Sequence, residues 1–171
     1  ILLVVDPVEL TIGESGQLPF YVSLGAAPAG TFTVEITSPD VDRLTVAPGT
    51  LQFVDLDFDD PQPVMVTALE DDDVADGHYQ IVIHAAGAVD DVPVTVDVDD
   101  NDELQLDVPP SAEPDDPLDV GEGQTSVIEV ELTAQPSGDV VVTVAAADAT
   151  IATVAGGPLT FTAANWDVAQ E

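Results

Sequence analysis

Five acids fall within residues 70–76, in the stretch LEDDDVADG: Glu70, Asp71, Asp72, Asp73 and Asp76. A second run, DVDDND, places Asp97, Asp99, Asp100 and Asp102 within residues 97–102, and further acids stand at Glu14, Asp40 and Asp42. Carboxylates crowded in this way are suited to one task above others, which is holding a cation. Two like charges about 4 Å apart repel by roughly 4 kcal/mol at an effective dielectric near 20. Several such pairs exceed the stability of an ordinary domain, about 5–15 kcal/mol, so something must neutralise them. Ca2+ suits the site better than Mg2+, because it accepts about six to eight oxygens in flexible geometry. With no cysteine and only two histidines, a zinc site is not expected. No basic residue in the acidic segments offers a counter-charge, so the neutralising ion must come from solution. The alternative is a solvated acidic face, as in adaptation to salt. Against it, 12 of the 24 aspartates lie in three windows, 55–60, 71–76 and 97–102, whereas salt adaptation spreads acids over outward strand positions.

Composition narrows the rest. Thirty-four acids against Arg43 alone give a formal charge of -33 over 171 residues, which repels phosphate backbones and anionic lipid. Neither nucleic acid nor a bare membrane is an expected partner. At 45% hydrophobic residues the chain can still bury a core, so it is expected to fold. The absence of cysteine leaves the redox compartment unread. The opening ILLVV is too short for a signal core or a membrane span.

The elements that must position these acids are strands. Apolar and polar residues alternate with period two at Leu18, Phe20, Val22 and Leu24, at Phe32, Val34 and Ile36, at Tyr79, Ile81 and Ile83, and from Val92 to Val98. Gly, Pro and Asp clusters bound each run. Strands are predicted at 8–12, 18–24, 31–37, 43–53, 62–68, 78–84 and 92–98, and seven in about a hundred residues make an antiparallel immunoglobulin-like β-sandwich. Antiparallel strands alternate direction, so their connections alternate between two poles. Four acidic segments then share one pole. They carry Glu14, Asp40 with Asp42, the residues 70–76, and Asp99, Asp100 and Asp102. The loop LDFDD, with Asp55, Asp57, Asp59 and Asp60, falls at the other pole and is expected to be a turn around a buried aromatic, Phe58.

The chain also repeats. IGESGQLPFYVSLGAAPAG from Ile12 matches VGEGQTSVIEVELTAQPSG from Val120, and residues 12–63 align without a gap to 120–171 at a shift of 108, with 17 identities in 52 positions. Two domains are therefore expected, 1–102 and 103–171. The second carries an additional Pro-rich stretch, VPPSAEPDDP, and lacks counterparts of the last three strands. It is expected to be an incomplete sandwich, finished either by more of its own chain or by strands added from another molecule.

Gly13, Glu14 and Gly16 before the strand at 18–24, then GTLQF, PQPVMVTALEDDD and VTVDVDDND, together resemble Calx-beta domains and related repeats of large bacterial surface proteins. PLTFTAANWDVAQ in the second repeat resembles the bacterial variant. The resemblance implies tandem Calx-beta-like sandwiches and a calcium site built from Glu14, Asp40, Asp42, Asp71, Asp72, Asp73, Asp99, Asp100 and Asp102. Asn101 interrupts the last acidic run. The expected function is a calcium-stabilised structural or adhesive repeat of an extracellular prokaryotic surface protein or filament, stiffened where one domain meets the next. Its partners would be neighbouring repeats or other copies of itself. Extracellular modules bind calcium at about 10⁻⁴ to 10⁻³ M, so such a chain would empty in the cytoplasm and stiffen after export. The alternatives are a subunit completed in trans by strand exchange, a calcium-sensing regulatory module, and an enzyme or carbohydrate-binding module. Catalysis has little support: His78 and His84 lie about 20 Å apart along one strand face, and no G-x-S-x-G or phosphate-cradling loop occurs. Trp166 aligns with Phe58, which assigns it to the core rather than to a sugar.

Overall fold

The computed structural model describes residues 1–108 and 120–171. Most of the Pro-rich stretch of the second repeat, residues 109–117, lies outside the described residues. The described residues are all-β, and they divide into two compact units: Ile1–Asp71 with Asp76–Asn101, and Asp72–Ala75 with Asp102–Glu171.

The first unit is an immunoglobulin-like sandwich of nine strands rather than seven. One sheet has the order β1 (Leu3–Asp6), β3 (Gln17–Leu24), β7 (Gln62–Ala68) and β5 (Leu44–Ala47). The other has the order β2 (Glu9–Gly13), β9 (Val92–Asp99), β8 (Gly77–His84), β4 (Phe32–Thr37) and β6 (Thr50–Phe53). Its pairings are antiparallel except for β2 with β9, which run parallel. The two additional strands arise alike. The chain crosses to the opposite sheet at Pro7 and again at Pro48, where a residue without an N–H has no ladder bond to give up. The strand expected at 8–12 thus acquires β1 ahead of it, and the strand expected at 43–53 splits into β5 and β6.

Burial follows the alternation. Phe20, Val22, Val34, Phe53, Val64, Val66, Ile81, Ile83, Val94 and Val96 are fully buried between the sheets, each worth about 1.5–3 kcal/mol relative to exposure. Leu18, at the start of β3, remains exposed. No described polar or charged residue is buried. The acids therefore act at surfaces and loops, over an apolar core.

The second unit repeats part of the first where the sequences align, although residues 152–155, the counterpart of β5, do not form a strand. It contains β10 (Leu106–Asp107) paired with β11 (Glu131–Leu132), and β12 (Val140–Val142) paired with β13 (Leu159–Phe161). Val140 opposes Phe161 and Val142 opposes Leu159, as Phe32 opposes Phe53 and Val34 opposes Leu51 in the first unit. Every one of these partners is shifted by the 108 positions of the sequence repeat. The loop bonds repeat too: Leu24 N donates to Phe58 O at 2.7 Å, and Leu132 N to Trp166 O at 2.9 Å. Leu24 opposes Leu3, but its counterpart Leu132 opposes Leu106, which is 103 positions beyond Leu3. The connection after β10 is therefore five residues longer than its counterpart in the first unit. Trp166 packs against the buried cluster Val130, Leu132 and Phe161, as Phe58 packs against the core of the first unit.

Candidate metal centre

One pole of the first unit gathers four chain segments. Gly13, at the end of β2, opposes Asp99, at the end of β9. Gly77, at the start of β8, opposes Val98. Thr67, near the end of β7, opposes Gln17 at the start of β3 and Thr45 near the start of β5. The connections that leave these ends carry the acids.

Within the first unit, carboxylate oxygens of Glu14, Asp71 and Asp100 lie within 4.8 Å of one another, and all three residues are half-buried. Ca2+ takes oxygens at about 2.3–2.6 Å, so one ion bridges oxygens up to roughly twice that distance apart, which matches the triad. Mg2+, at about 2.0–2.1 Å with near-ideal octahedral demands, fits the same spacing less well. Three carboxylates supply at most part of a calcium shell, leaving the remainder to backbone carbonyls or water. These three residues would hold the ion.

Hydrogen bonds fix the triad from behind. Glu14 N donates to Asp99 O at 3.0 Å, tying the turn after β2 to the end of β9. Asp100 N donates to Asp76 Oδ1 at 3.0 Å. Glu70 accepts from Ser15 Oγ and, at 3.3 Å, from Asn101 Nδ2, which also lies 3.5 Å from Glu14 Oε2. Asn101 is thus a donor to the acids around it as well as an interruption of their charge. Ser15 and the bonded roles of Glu70 and Asp76 were not visible in the sequence pattern. The one signal was the turn G-E-S-G itself.

That turn is tight. Gly16 N donates to Gly13 O at 2.9 Å, and Ser15 holds a positive φ of 58°. A Cβ on Gly16 would stand 2.5 Å from Gly13 O, which is backbone and cannot give way without opening the turn. Gly16→Ala is expected to destabilise the first unit by about 1–3 kcal/mol and to displace Glu14. Chemical unfolding followed by circular dichroism checks this, and an unchanged midpoint would contradict the turn's role.

The other expected ligands have different surroundings. Asp40 Oδ1 accepts from Asp42 N at 3.0 Å, a local turn bond of the kind short acids favour. Its counterpart at the 108 shift, Asp148, accepts from Thr150 Oγ at 2.6 Å and Thr150 N at 2.9 Å. These two bonds, the hydroxyl's first, hold the Asp148 carboxyl below its usual range. Position 40 therefore locks the turn after β4 in both repeats. Asp42 and Asp99 are exposed and are not part of the triad. Asp72, Asp73 and Asp102 are counted with the second unit. At the opposite pole Asp57 Oδ1 accepts from Val54 N at 2.7 Å, as Asn165 Oδ1 accepts from Thr162 N at 2.6 Å, so this acid also serves a turn.

One expectation is overturned. Arg43, the sole basic residue outside the two histidines, forms an ion pair with Asp71. The acidic pole does contain a counter-charge, because the pairing of β5 with β7 brings the residue before Leu44 alongside the residue after Ala68. Each histidine of β8 is bonded to an exposed acid, His78 to Asp97 of β9 and His84 to Asp91 just before β9, both at 2.6 Å.

No family model matches the chain, and no curated protein matches its sequence. Among solved structures, the chain is similar to the chaperone–tip adhesin complex of CFA/I fimbriae biogenesis, at 9% identity and TM-score 0.48 over 95% of this chain and 82% of that one. It is also similar to the CsuC–CsuE chaperone–tip adhesion subunit pre-assembly complex of Acinetobacter baumannii, at 8% and 0.46 over 95% and 87%. SSP-19, an MSP-domain-like family member in Caenorhabditis elegans, is similar at 16% and 0.41 over 56% and 98%. Such likenesses concern the fold alone. Sheet order and register define an all-β protein of immunoglobulin-like class with an acidic pole on its first unit.

Proposed function

We propose that this chain is a calcium-stabilised structural repeat of an extracellular prokaryotic surface protein or filament. The observation that carries this reading is the convergence of Glu14, Asp71 and Asp100 from three separate connections of one sandwich. The internal repeat supports it as well, since copies of one sandwich at a fixed shift are how extended surface proteins are assembled. The motifs shared with Calx-beta domains point the same way. Asp100 belongs to the segment by which the chain leaves the first unit after β9. A cation held there ties the exit of the chain to the turn after β2 and the connection after β7. The cation adds to the backbone bond between Glu14 and Asp99 and stiffens the exit, which is the mechanical property a rod segment needs. The partners are neighbouring repeats or further copies of the chain, and the role is structural rather than catalytic.

Calorimetric titration of the chelated chain with CaCl2 tests this reading. An extracellular rod is expected to bind at about 10⁻⁴ to 10⁻³ M. Saturation near 10⁻⁶ M would instead indicate an intracellular calcium sensor, and no heat at all with Glu14→Gln or without it would remove calcium from the account.

A further inference from the structure

The one guanidinium of the chain stands at the acidic pole, and its position is set by the backbone. Leu69 N donates to Arg43 O at 2.9 Å and Leu44 N to Asp40 O at 2.8 Å, so Arg43 is anchored on both sides just ahead of β5. Its side chain reaches Asp71, two residues beyond Leu69 on the neighbouring segment. Asp71 is 21% exposed and Arg43 36%, so the pair is partly withdrawn from water and less screened than a surface pair. The triad carries three carboxylates, and Glu70 and Asp76 stand beside it, so one guanidinium offsets only part of the negative charge gathered there.

We propose that Arg43 is a resident counter-ion of the acidic pole. It holds Asp71 in place while no divalent cation is bound, and it lowers the affinity with which one binds. This rests on the calcium reading given above only for its second half; the first half stands on the ion pair alone. A chain with 34 acids and one Arg or Lys gains most from that charge where carboxylates are closest together. The same charge repels an incoming Ca2+ a few ångströms away. At about 5 Å this repulsion amounts to a factor on the order of ten in affinity even with the screening of bulk water, and to more where the pair is partly withdrawn from it. Arg43 thereby moves the site away from tight binding and toward the weak range of an extracellular module.

The test is thermal unfolding and calcium calorimetry of the full chain and of Arg43→Gln, at low ionic strength, with chelator and with millimolar CaCl2. Arg43→Lys, which keeps the charge and loses the planar fork, serves as the second variant. Arg43→Gln is expected to melt lower than the native chain in chelator, to converge with it in calcium, and to bind calcium roughly tenfold more tightly. Arg43→Lys is expected to follow the native chain in both measurements. Equal melting of Arg43→Gln and the native chain in chelator would overturn the counter-ion role. Loss of stability in Arg43→Lys equal to that in Arg43→Gln would also overturn it, since the side chain would then act by shape. If no protein responds to calcium while NaCl alone restores Arg43→Gln, the counter-ion role is upheld and the calcium reading fails.

Discussion

Ten millimolar calcium is expected to raise the melting temperature of the first unit by about 6–20 °C. The figure follows from mass action. That concentration is about 10 to 100 times a dissociation constant of 10⁻³ to 10⁻⁴ M, which stabilises the binding state by about 1.4–2.7 kcal/mol, and 1 kcal/mol moves the midpoint of a domain this size by roughly 4–8 °C. The shift is expected to vanish in Asp100→Asn and in Glu14→Gln. These variants carry a second signature that separates ion binding from ordinary damage. Each removes a negative charge from a crowded group, so in chelator they should melt at or above the native temperature, while in calcium they should melt below it. Asp71→Asn behaves differently, because it also removes the partner of Arg43, and it is expected to lose stability in both conditions. Circular dichroism is the appropriate probe, since the only tryptophan, Trp166, lies in the second unit. If NaCl at high concentration reproduces the whole calcium effect, the acids are a solvated face and the triad holds nothing specific.

The parts of this arrangement legible in the sequence are those that depend on period and direction. Alternation at Phe20, Val22 and Leu24, and again at Ile81 and Ile83, is enough to find the strands and their buried face. Direction alone brings the ends of β2, β7 and β9 to one pole. The shift of 108 anticipates the register of Val140 against Phe161. What escaped depends on local detail. The chain changes sheets at Pro7 and Pro48, while Pro19, Pro63 and Pro93 sit inside strands that do not, so a missing N–H permits a switch without dictating one. Apolar alternation continues across both points, so periodicity does not reveal the switch. Arg43 escaped although it directly follows Asp42, because its partner Asp71 is brought to it only through the pairing of β5 with β7.

Counting acids also overstates the number available to a metal, since a carboxylate beside a turn has another use for its oxygens. The two copies of the repeat make the distinction. Asp40 and Asp148 both bond the amide two residues on, and Asp57 and Asn165 both bond the amide three residues back. Asn replaces Asp at the second of these without loss of the bond, so the requirement is an acceptor oxygen and not a charge. Asp100 has a different environment: its Oδ2 is shielded from solvent, and its amide is held by Asp76. Burying part of a charge has a free-energy cost, and a turn does not require it.

Phe161→Ala is expected to have the largest effect on stability of any single change in the second unit. Phe161 and its counterpart Phe53 are both fully buried, and replacing a buried phenylalanine by alanine costs about 3–5 kcal/mol. The surroundings determine what that loss does. Phe53 belongs to a cluster of twenty buried residues, whereas Phe161, among the described residues, shares its cluster with Val130 and Leu132 as its buried members. The first unit should survive Phe53→Ala with a lowered midpoint, while the second should lose its packing altogether. Trp166 packs against the smaller cluster, so its emission reports on that unit alone. In Phe161→Ala it is expected to shift to the wavelength of a solvated indole at temperatures where the amides of β3, β7 and β8 remain protected from hydrogen exchange. In Phe53→Ala the emission should stay native. Faster exchange throughout β3, β7 and β8 in Phe161→Ala would show that the two clusters form one cooperative core. Loss of the native emission with protected amides in Phe161→Ala, together with native emission in Phe53→Ala, means that each copy of the repeat carries its own core, as copies must if they can be added to a chain one at a time.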